Sequence, residues 1–137
     1  MKIPTAALTI LLAALAAAHP VWGATPPAKP RWESVLLNDQ GLFYIEPSTI
    51  KDQGERKEVW SLLDYKKVQS TADGKPYLST QALILVNCKA RMARIMHLTY
   101  YSGAMLSGQV VERQGMLQDW HEIEKGTAIQ RISRRIC

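Results

Sequence analysis

EVWSLLDYKKV at residues 58–68, Asp73-Gly74, and YLSTQALILVN at residues 77–87 together decide the fold. The first segment is rich in Val, Trp, Leu and Tyr, side chains that suit a pleated, half-buried surface. The second places Leu78, Ala82, Ile84 and Val86 on one side, because successive side chains of a strand point to opposite faces. Asp-Gly between them suits the positive backbone angles of a tight hairpin turn. Two antiparallel strands follow from this reading.

Downstream, residues 91–101 read as the next strand. Met92, Met96, Leu98 and Tyr100 share one face, and Arg91, His97 and Thr99 take the other. Arg94 falls on the apolar face and breaks the alternation, which places it at a strand end or snorkelling outward. Upstream, residues 32–37 and 42–46 flank Asn38-Asp39-Gln40-Gly41 and read as a hairpin. Pro47 ends the second of these strands, since proline has no N–H for the ladder. Residues 48–57 are polar, contain Gly54, and are expected to form a loop. Ser102-Gly103, Ser107-Gly108 and Gly115 punctuate two further short strands, 109–113 and 119–123.

The last stretch changes period. Thr127 and Gln130 have the spacing of a capping box. Ile129, Ile132 and Ile136 recur on one helical face, while Arg131, Arg134 and Arg135 take others, near the C-terminal end where cations suit the macrodipole. The expected class is α+β: an antiparallel sheet of about six strands with one C-terminal helix packed on it.

The opposite end carries a different signal. Lys2 precedes an apolar run of thirteen residues, Ala6 to Ala18. As a helix it would be about 20 Å long, short of the ~20 residues that span a bilayer, but suited to a secretory signal. Cleavage is expected before Ala24, with a cut before His19 as the second choice. No cysteine follows the run to accept a lipid. Residues 24–31 hold three prolines and read as an extended leader. Residues 32–137 then form one domain, soluble in the periplasm or outside the cell.

Both cysteines, Cys88 and Cys137, lie in the exported part. An even count in an oxidising compartment argues for a disulfide that closes the domain. The alternatives are a free thiol or an intermolecular bridge through Cys137. Removal of Lys2 lowers the formal charge from +5 to +4. That balance leans towards anionic partners such as polyanions, acidic lipid headgroups or acidic protein patches. It is also an ordinary solubility charge. Nucleic acid is not an expected partner.

Catalytic chemistry is hard to assemble from these residues. His97 and His121 lie in different expected strands. His121 stands near Asp119, Glu122 and Glu124, but only Asp119 shares its side of a strand. Those ligands are too few for zinc, so neither a metal nor a cofactor is expected. No Gly-x-Ser-x-Gly elbow occurs, and no carboxylate pair stands out for hydrolysis. The expectation is a protein that is not an enzyme, with a small hydrolase of unrecognised site as the remote alternative. Arg131, Arg134 and Arg135 are the candidate binding residues, for an anionic polymer or a protein. Trp60 and Trp120 are expected in or near the core. An open antiparallel sheet also has edges through which a second copy could pair.

A series of short segments carries a resemblance. Trp32 opens the domain, and Tyr-Ile-Glu-Pro-Ser follows at 44–48. Val-Trp-Ser-Leu-Leu-Asp-Tyr runs 59–65, and Tyr-Leu-Ser-Thr at 77–80 leads to Asn87-Cys88. Tyr-Tyr-Ser at 100–102, Gly-Gln-Val-Val at 108–111, Trp120 and a terminal Ile136-Cys137 complete the order. Together these resemble the surface-adhesin protein E family of Gram-negative bacteria. The resemblance implies a six-stranded antiparallel sheet with a C-terminal helix. It also implies kinship with an outer-surface lipoprotein that binds host matrix and plasma proteins and can dimerise. The expected function is an exported binding domain resembling such an adhesin; the alternative is a periplasmic structural or accessory envelope protein.

Overall fold

The computed structural model of the protein describes residues 19–115 and 119–137. The apolar run behind the signal-peptide reading therefore lies outside the described residues. Residues 19–31 are exposed and have no secondary structure. The strands are β1 (Glu33–Leu37), β2 (Gly41–Ile45), β3 (Lys51–Gln53), β4 (Arg56–Ser70), β5 (Pro76–Asn87), β6 (Met92–Tyr101), β7 (Val110–Gln114) and β8 (His121–Glu122), followed by helix α1 (Ala128–Ile136). They form one antiparallel sheet in the order β1-β2-β4-β5-β6-β7, with β3 on β4 and β8 on β6.

The expected class holds, but the described residues form eight strands rather than about six. Two long strands each hold two short ones along a single edge. β2 pairs with Ser61–Tyr65 of β4 and β3 with Arg56–Glu58. β7 pairs with Leu98–Tyr101 of β6 and β8 with Met92 and Ala93. β3 corrects the reading of residues 48–57 as a loop. After a 3-10 turn at Pro47–Thr49, the chain returns along β4 through Gly54, whose φ of +77° suits glycine. Ion pairs brace this hairpin, Lys51 to Glu58 at 2.9 Å and Lys57 to Asp52 at 2.8 Å. A strand held by charges lacks the apolar alternation by which strands are recognised. At β2, Gly41 permits close approach, because a Cβ there would collide with the Asp64 carbonyl oxygen.

The core lies between one face of the sheet and α1. Ile45, Val59, Ile84 and Val86 from the strands meet Ile132 and Ile136 from the helix. The β6 pattern needs correction here. Leu83 pairs with His97 but Ile84 pairs with Ile95, so Met96 is an extra residue, a β-bulge. The bulge reverses the phase of the strand. Ala93 and Ile95 therefore join Leu98 at the core, and Met92 and Arg94 turn to the opposite face. Arg94 is half-buried on that opposite face, and the bulge explains its apparent break in the alternation.

α1 starts as expected. The Thr127 hydroxyl accepts from Gln130 N, and Gln130 Oε1 accepts from Gly126 N. This second bond accounts for a buried glutamine on a short helix. Ile132 and Ile136 are buried and Ile129 packs beside them. Cys88, just after β5, is bonded to Cys137 with 5.7 Å between their Cα atoms. The disulfide thus fastens the helix end to the sheet.

Candidate functional site

The solvent side of α1 is basic. Arg131, Arg134 and Arg135 are all exposed. At about 100° per residue they fall within an arc of about 100°, away from Ile132 and Ile136. Arg135 is tied to Glu33 of β1 at 3.0 Å. Arg134 lines a crevice of about 250 Å³ beside the disulfide, together with Arg91 from the β5–β6 turn. Arg91 adopts a left-handed backbone, φ 56°, and lies outside β6 rather than opening it. Arg131 and Arg134 form no ion pair among the described residues.

A second basic feature escaped the sequence reading. Trp120 receives two guanidinium groups, Arg94 at 4.8 Å and Arg56 at 5.7 Å from the ring centroid. Such contacts contribute about 0.5–2 kcal/mol. Trp120 is half-buried by covering cations on the face away from α1. Trp60 is likewise half-buried, and strand alternation puts it on that same face, opposite the Val59 side. The one signal for Arg94 was its apparent misfit in the alternation.

His121 lines a cavity of about 370 Å³ with Arg94, Glu122, Glu124 and Thr127. His121 and Glu122 are neighbours in β8 and point to opposite faces. The Thr127 hydroxyl is engaged at the helix cap. Nucleophilic catalysis needs a nucleophile held by its base, and this group does not supply that pair. His97 lies four positions along β6 from the β8-paired Ala93. Among the described residues, no three His, Cys, Asp or Glu side chains gather as metal ligands. None of the described helices is long and apolar enough to cross a membrane.

A family model, "Surface-adhesin protein E", matches residues 32–137. The chain belongs to the surface-adhesin protein E family. Among solved structures, Haemophilus influenzae protein E is similar with a TM-score of 0.61 at 15% identity, covering 83% of this chain and 90% of that one. Its crystal form II gives a TM-score of 0.63 at 14% identity, covering 83% and 94%. Among curated proteins, none matches the chain. At such identities the likeness carries the fold alone. In this surface-adhesin protein E domain the sheet and the C-terminal helix are therefore the shared fold, while the disulfide, the arginines and Trp120 are read from this chain.

Proposed function

We propose that the chain is an exported, non-enzymatic binding domain that engages protein or anionic polymer through the basic arc of α1. Residues 1–23 act as a cleaved signal, 24–31 as a leader, and 32–137 as the binding domain. It works in the periplasm or at the cell surface of a Gram-negative bacterium, without a metal or cofactor. A second copy can pair along the exposed edge strands β1 or β7. Membership of a surface-adhesin family supports this reading. The observation that carries it is the exposure of Arg131, Arg134 and Arg135 on one arc of a helix whose other side is fixed in the core. Guanidinium groups recognise sulfate and carboxylate through paired donors. Arg91 lies next to that arc and adds a fourth cation.

The test is binding to a heparin-like polyanion at low salt. The triple substitution Arg131→Ala, Arg134→Ala, Arg135→Ala is expected to weaken binding at least tenfold while leaving the fold intact. Binding equal to that of the wild type at matched salt would overturn the assignment.

A further inference from the structure

α1 covers only part of its face of the sheet. Beyond its first turn lies a groove of about 510 Å³, between the helix start and strands β2, β4, β5 and β6. Phe43, Leu63 and Leu98 line it from the sheet and Ile129 from the helix, all of them half-buried. Side-chain amides of Asn38 and Gln40 stand at the β1–β2 turn. Among the described residues, none that lines the groove carries a charge, in a chain with seventeen lysines and arginines and twelve acidic residues. Of these described lining residues only Tyr65 is titratable; burial pushes its phenol up to about 12, so it stays neutral. From Tyr65 an edge-to-face series continues across the sheet, to Tyr77 at 5.4 Å and on to Tyr100 at 4.8 Å.

We propose that this groove binds an uncharged amphipathic small molecule, an aliphatic chain with a hydroxyl- or amide-bearing head. Its volume lies within the roughly 300–1,000 Å³ of small-molecule sites, and its apolar walls with a few neutral polar groups match their composition. The absence of charge sets the class. A buried carboxylate or ammonium would find no counter-ion, and leaving it unpaired costs far more than burying a hydroxyl. The site is separate from the arginine arc, and it takes the opposite kind of ligand.

The probe is N-phenylnaphthylamine, uncharged and brighter in apolar surroundings, with the whole exported domain. Its emission is expected to rise on binding and to be displaced by a medium-chain monoacylglycerol. The carboxylate of equal chain length is expected to displace it at least tenfold less well. Ile129→Trp fills the groove from the helix and Leu63→Trp from the sheet. Each variant, checked for native circular dichroism, is expected to weaken probe binding at least tenfold and to keep its affinity for heparin-like polyanion. No rise in emission with the wild type, equal displacement by the carboxylate, or unchanged binding in both filled variants would overturn the proposal. So would loss of a dimer in the filled variants without probe binding, which would give the groove to a second copy.

Discussion

Tyr65 shows how one side chain records its surroundings. Burial raises its pKa to about 12, and the nearby Tyr77 phenol adds to the shift, while a hydrogen bond with Thr80 opposes it. An unfolded tyrosine ionises near pH 10, so the folded state holds the proton more tightly than the unfolded one. The stability this provides is whole below about pH 10 and is lost as pH rises towards 12. The thermal midpoint is expected to fall across that window, and to fall less in Tyr65→Phe. Equal alkaline slopes for the two proteins would assign the loss to other groups. Tyr100 moves in the same direction, chiefly through burial, with Tyr77 and Glu112 adding to it, so Tyr65→Phe removes part of the slope rather than all of it.

Among the elements, α1 depends most on its neighbours. Nine residues make a helix that is marginal in isolation. Its place is set by Ile132, 1% exposed, against the sheet. Ile132→Ala is expected to destabilise the domain by about 2–5 kcal/mol in urea unfolding, the range for emptying a tightly packed aliphatic site. Arg131→Ala, one residue away on the solvent side, is expected to stay within about 0.5 kcal/mol. The sequence made the helix legible because its period, cap and isoleucines agreed. The β4–β5 hairpin was legible for the same reason, with Gly74 in the left-handed turn conformation, φ +82°. β3 was not, since its cross-strand ion pairs link positions that become neighbours only after the strand forms. The β6 bulge was hidden because one extra residue reverses the face of everything beyond it. That reversal also hid Arg94 and its partner Trp120. The arginines of α1 could be named from spacing, but their association with Arg91 depends on the turn that the disulfide brings beside the helix.

For the whole molecule, the decisive constraint is the bond between Cys88 and Cys137, which closes 49 residues. In the chain-entropy treatment a loop of that size stabilises by about 4 kcal/mol, a large part of a total near 5–15 kcal/mol. Cys88→Ala is expected to lower the thermal midpoint by roughly 15 °C or more, since each kcal/mol shifts a domain of this size by about 4–8 °C. Equal midpoints for the wild type and Cys88→Ala would show that packing alone holds the helix. The architecture has a consequence for the heat capacity as well. The cross-link between Cys88 and Cys137 keeps the unfolded chain compact, so part of its hydrocarbon surface stays out of water after unfolding. The heat-capacity increment should then fall below the usual ~12–15 cal/mol/K per residue. A small increment flattens the curve of free energy against temperature, so this domain keeps nearly the same margin over a wide span of temperature.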